Sequence, residues 1–231
     1  DQEKLKDHHR FFMRKLGLLL SSDKVGRREE AMVVWKRLLE GGDDPEALRT
    51  LAIWHREKEE WDDLVTNLGR QLKLCTTDDD RVVTLKDMSE VLNEHLQKPI
   101  EAIDTLKQAL ALDEKDVEAL TMLRSIYADI KDFPLAAATM EKEIVLMQDA
   151  SSQYTLLVQL AAWYREAIGD KVNAISAYER ILQVAPSDEA ALDVLEVLYE
   201  EVGEWEKLLR LLRTKTRGTE NEAEILGFLI K

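Results

Sequence analysis

The residues able to do chemistry are few, and their spacing does not assemble them. Four histidines and one cysteine occur in 231 residues. His8 and His9 are adjacent, so on a helix they project about 100° apart and cannot share a metal ion. They read as a solvated pair. His55 falls on the packing face of an apolar run and reads as a satisfied interior residue rather than a general base. His95 stands near the end of a helical stretch, where an imidazole interacts with the negative pole. Cys75 follows LVTNLGRQLKL with no histidine near it in sequence, the pattern of an inert buried thiol rather than a nucleophile. The acids at 78–80 could be read as a cation site, but three carboxylates ahead of RVVTL are what the start of a helix favours. There is no GxSxG, no HExxH and no glycine-rich phosphate loop. The expected catalytic, cofactor and metal sets are therefore empty, and the chain reads as a non-enzyme.

What remains to be positioned is a surface. Hydrophobic residues make up 45% of the chain and charged residues 34%, the balance of a packed soluble protein. With only 9 Gly and 4 Pro, the composition favours long helices over turn-rich β structure. No apolar run reaches the roughly 18 residues a membrane span needs, and DQEKLKDHHR is too charged for the apolar part of a secretory signal. A chain that does not begin with methionine could still have lost a signal. One cysteine rules out an internal disulfide framework, and a reducing, cytoplasmic setting fits. The net charge of −14 argues against nucleic acid as the main ligand. Residues 1–40 nevertheless carry ten Lys/Arg against seven Asp/Glu.

The elements follow from an internal period. Ala174 and Tyr178 form a small-then-large pair four residues apart, and the same pattern appears at Ala31/Trp35, Leu64/Leu68, Ala102/Leu106, Ala136/Met140 and Leu208/Leu212. Successive pairs are separated by 33, 38, 34, 38 and 34 residues, so short and long repeats alternate with a super-period of 72. Trp61, Phe133 and Trp205 obey that period, as do Leu51, Leu123 and Leu195. Each repeat contains two runs with one apolar helical face, such as LLVQLAAWYREA and NAISAYERILQV. Gly169 and Gly203 separate the runs, Pro45 and Pro99 open helices, and Pro186 closes one. About thirteen helices are predicted. The five tryptophans lie in repeat positions or apolar runs and are expected in the core.

A 34-residue helical hairpin with Ala-x-x-x-aromatic in its second helix and a closing proline resembles the tetratricopeptide repeat, most closely at Gly169, Ala174, Tyr178 and Pro186. The resemblance covers residues 27–220, and the style of the repeats is similar to that of long bacterial repeat proteins. The 38-residue members depart from the family, with a longer first helix or turn at SEVLNEHLQKP and AAWYREAIGDK. Arg124 and Glu196 stand where the family has a small residue, and His55 replaces its tyrosine.

The resemblance implies an all-α, right-handed solenoid of stacked antiparallel hairpins across residues 1–231; because the period stops in mid-hairpin, the expectation is a piece of a longer protein, or a final helix that is itself the cap. In the solenoid 1–26 would be a leading helix and 221–231 the start of a further one. It also implies a concave groove lined by first helices, in which the family register places Arg49, Ile53, Arg56, Lys86, Asn93, Val158, Ala162, Arg165 and Val197. An acidic partner helix or extended segment would meet Arg49, Arg56 and Lys86, with apolar side chains near Val158, Ala162 and Val197. The convex face and the ends are the alternative binding surfaces. The chaperone-tail clamp of the family is not matched: its positions in the first triplet are Arg49, Ile53, Asp87, Glu118 and Met122, which would repel an acidic tail. The expected role is a protein-interaction adaptor, or a regulatory repeat domain attached to an enzymatic or signalling domain.

Overall fold

Seven side chains fix where seven helices begin. Asp44, Thr77, Asp116, Asp132, Asp149, Asp170 and Asp188 each accept a hydrogen bond from a backbone amide two or three residues ahead, satisfying donors that a first helical turn leaves free. The computed structural model describes residues 2–22 and 24–218, with side chains from 6 to 215. In it α1 is Gln2–Ser21, α2 Arg28–Glu40, α3 Pro45–Glu57, α4 Trp61–Leu74, α5 Asp78–Glu90 and α6 Pro99–Leu112. They are followed by α7 Val117–Asp129, α8 Phe133–Leu146, α9 Ala150–Ala162, α10 Lys171–Val184, α11 Glu189–Val202 and α12 Trp205–Gly218. No strand occurs among the described residues. The further helix expected at 221–231 lies outside them.

The long repeats acquire their extra residues in one way. α5 continues into a π-helical turn, Val91–His95, and α9 into another, Trp163–Ile168. The two turns begin 72 residues apart, inside the two stretches that the sequence marks as lengthened. A π turn carries one residue more per turn than the α-helix and so turns the end of the helix to a new direction. His95 is thereby laid flat on Trp61, with ring centroids 3.7 Å apart and planes 4° from parallel, and Trp163 packs against Phe133 at 5.8 Å.

By packing, the chain divides into two units, Asp1–Ala119 and Leu120–Lys231, the division falling within α7. In each unit, helices pack mainly against their neighbours in sequence, as expected of hairpins that cannot bury an apolar face alone. In the first, Leu20, Ala31, Met32, Trp35, Leu38, Ala47 and Leu51 form one core cluster. Gly17 of α1 lets the Trp35 ring approach so closely that a Cβ there would sit 2.6 Å from it. In the second, Met140, Ile144, Leu157, Leu160 and Ile181 form a core cluster, with Ala174, Leu195, Leu198 and Tyr199 in the next. The small residues of the repeating pair are fully buried at Ala31, Ala102, Ala136 and Ala174, which permits close helix approach.

Candidate interaction site

Within a hairpin, one position on the second helix faces two positions on the first, and the 72-residue period repeats the arrangement three times. In α7–α8, buried Glu143 accepts hydrogen bonds from Thr121 Oγ1 at 2.8 Å and Arg124 Nε at 2.7 Å. In α11–α12 the polarity is reversed: Lys215 Nζ donates to Asp193 at 2.7 Å and Glu196 at 2.5 Å. Burial pulls the Lys215 ammonium towards neutrality, but the two carboxylates outweigh it and hold its pKa above the ordinary value. In α3–α4 the matching residues are Arg49 and Ala52 facing Gln71. Gln71 is neutral and spends its amide on Leu48 O at 3.3 Å and Asn67 Oδ1 at 3.0 Å. This hairpin therefore has no charged lock.

A cleft of about 490 Å³ is lined by Arg49, Ala52, Ile53 and Arg56 of α3, Leu64 of α4 and Asp87 of α5. Ile53 is 63% exposed on its wall, with a guanidinium on either side along the helix. Arg56 lies 3.8 Å from Asp87, a loose pair. Among the described residues no ion pair holds Arg49, which also borders a second cleft of about 280 Å³ beside Cys75.

Of the groove residues expected from the sequence, Arg49, Ile53 and Arg56 share this cleft. Lys86 follows on α5, and its charge is taken up within the chain by Asp116 at 2.8 Å and Glu118 at 2.5 Å. Burial lowers the Lys86 pKa, but these two acids more than reverse that; Asp116 is held below the usual carboxylate range, its own burial offset by Lys86 and the Ala119 amide. Asn93 and Arg165 occupy equivalent places in the two π turns, and Arg165 pairs with Glu166. In the second unit, Arg165 and Val197 line a cleft of about 570 Å³ with Asp193 and Lys171. Val158 is exposed on α9, and Ala162, the last residue of that helix, is half-buried.

The remaining chemistry-bearing residues have structural partners. His55 is buried with Nδ1 2.7 Å from Glu60 Oε2. His95 stacks on Trp61 and sits in the final π turn of its helix. Cys75 is half-buried, its sulfur 3.4 Å from Gln71 O and 3.6 Å from Thr84 Oγ1. Asp78, Asp79 and Asp80 form the first turn of α5 behind the Thr77 cap. Trp205 departs from the expected core position: it is 63% exposed. At the two equivalent places the ring is covered by the π turn that follows, and among the described residues no such turn follows α12. The sequence gives no sign of the Glu143 lock, because three different residue types occupy its position in the three copies.

Residues 191–224 match the family model described as tetratricopeptide repeat. A comparison with curated proteins finds no match. Among solved structures, one titled "Structure of Naa15/Naa10 bound to HypK-THB" is similar with a TM-score of 0.54 and 19% identity, over 77% of this chain and 26% of that one. YrrB, "a TPR protein with an unusual peptide-binding site", is similar with a TM-score of 0.48 and 18% identity over 78% of this chain and 88% of its own. MamA is similar with a TM-score of 0.46 and 22% identity over 78% and 94%. These likenesses concern the fold. No helix among the described residues is long and apolar enough to cross a membrane.

Proposed function

We propose that this chain, which has the fold of tetratricopeptide-repeat proteins, is a non-catalytic protein-interaction scaffold whose first unit grips a partner segment in the α3–α5 cleft. An acidic side chain of that segment meets Arg49 and, less strongly, Arg56; an apolar side chain rests on Ile53 and Leu64. The observation supporting this reading is the missing lock. Where two hairpins fill the position with an ion pair, buried at Glu143 and part-buried at Lys215, this one leaves a neutral Gln71, a small Ala52 and an arginine without an internal partner. A guanidinium beside an apolar wall favours a carboxylate flanked by hydrophobic residues. Lys86 contributes to the fold rather than to the partner, since two acids of its own unit already neutralise it.

The repeat supplies its own control. The double substitution Ala52→Arg/Gln71→Glu copies Arg124 and Glu143 into the first hairpin and should fill the cleft while the helices stay folded. A peptide-display selection on the whole chain should enrich segments with an acid three or four residues from a large apolar side chain. Binding of a selected peptide, followed by fluorescence anisotropy, should weaken about tenfold or more in the double variant and in Arg49→Glu. A selection that enriches nothing acidic, or peptides that bind the filled variant equally well, would remove the cleft from the function.

A further inference from the structure

At the turn between α3 and α4, three metal-ligating side chains converge. The donor atoms of His55, Glu60 and Asp63 all lie within 4.8 Å of one another, with His55 Nδ1 2.7 Å from Glu60 Oε2. The imidazole is buried, and both carboxylates are on the solvent side. The same turn occurs 72 and 144 residues later with the same backbone closure. The amides of Glu60, Asp132 and Glu204 return to the carbonyls of His55, Tyr127 and Tyr199, each at 2.8 Å. In those copies the three side-chain positions hold Tyr127, Asp132 and Leu135, then Tyr199, Glu204 and Lys207. The backbone therefore closes without an imidazole or a second acid. Asp132 uses its carboxylate to cap α8 through the Leu135 amide at 3.2 Å, whereas Glu60 makes no such cap and turns its carboxylate to His55.

We propose that His55, Glu60 and Asp63 form a site for a divalent transition metal of the zinc class. The metal would bond His55 Nδ1 and one oxygen from each carboxylate, with water in the open positions, and the neutral imidazole would carry its one proton on Nε2, leaving the Nδ1 lone pair to the metal. An imidazole donor with two carboxylates suits zinc, cobalt or nickel, whereas magnesium and calcium prefer oxygen alone. Ligands of a tetrahedral zinc at about 2.1 Å lie about 3.4 Å apart. The buried imidazole sets the position, and the exposed carboxylates adjust around it, Glu60 moving back from its 2.7 Å contact with His55 to the ligand spacing. The bound ion would join the last turn of α3 to the first turn of α4.

The test uses the whole chain carrying His8→Ala/His9→Ala, so that the terminal histidines do not compete. Titration with zinc chloride in a calorimeter should show one saturable site per chain that excess magnesium does not displace. His55→Tyr, which copies Tyr127 and Tyr199, and Asp63→Asn should each weaken zinc about tenfold or more. Zinc should raise the melting midpoint of the parent and not of these variants. A parent without a zinc site, or variants that bind as the parent does, would overturn the proposal. If His55→Tyr fails to fold, Asp63→Asn decides alone, since that side chain is exposed and outside the core.

Discussion

Glu59, Lys131 and Gly203 stand 72 residues apart and close α3, α7 and α11 in the left-handed conformation, with φ of 59°, 62° and 82°. Only one of them is the residue that this geometry favours. A side chain held there costs about 1 kcal/mol through contact between Cβ and the neighbouring carbonyl, and glycine relieves it at some expense in chain entropy. Lys131→Gly is therefore expected to stabilise the protein by about 0.5 kcal/mol, and Gly203→Lys to destabilise it by about 1 kcal/mol. Urea midpoints of the two variants check the pair of signs. A midpoint that falls for Lys131→Gly would mean that the lysine side chain makes a contribution outweighing its strained backbone. The sequence shows Gly203 as a helix terminator but gives no warning at Glu59 or Lys131, because the demand for positive φ comes from the turn and not from the residue in it.

At the scale of the element, the period was legible and the π turn was not. Buried leucines and alanines return every 72 residues because the same helix faces must be covered in every copy, so Leu51, Leu123 and Leu195 announce themselves. The extra residues in SEVLNEHLQKP and AAWYREAIGDK are equally visible as length. Their form is hidden, since a turn with one added residue has no side-chain period of its own. Its consequence is the parallel stack of His95 on Trp61. Aromatic pairs contribute about 0.5–1.5 kcal/mol beyond the area they bury, so a double-mutant cycle on Trp61→Leu and His95→Leu should return a coupling energy of about 1 kcal/mol. Additive single effects would reduce the π turn to a spacer. Trp205, identical in register to Trp61, opens the last described helix and is exposed.

At the scale of the whole molecule, the super-period exposes a variation that the apolar pattern conceals. Hydrophobic positions repeat in kind, but positions 52, 124 and 196 read Ala, Arg and Glu, while 71, 143 and 215 read Gln, Glu and Lys. No single column shows this variation as a system; the pairing across each hairpin does. This is why the sequence could place Arg49, Ile53 and Arg56 together on one helix yet could not tell which cations were free: Lys86 was consumed by acids 30 and 32 residues ahead of it. The locks themselves offer a sharp test. Arg124→Ala leaves the carboxylate of Glu143 buried without its charge partner and should cost about 3 kcal/mol. Arg124→Glu should cost at least as much, because it sets two acids together. Adding Glu143→Lys to Arg124→Glu reproduces the Glu196–Lys215 polarity of the next copy and should return the melting midpoint to near that of the parent. Failure of that double exchange would show that the three hairpins are equivalent in backbone alone, and that the empty first lock is not a position the repeat can open or fill at will.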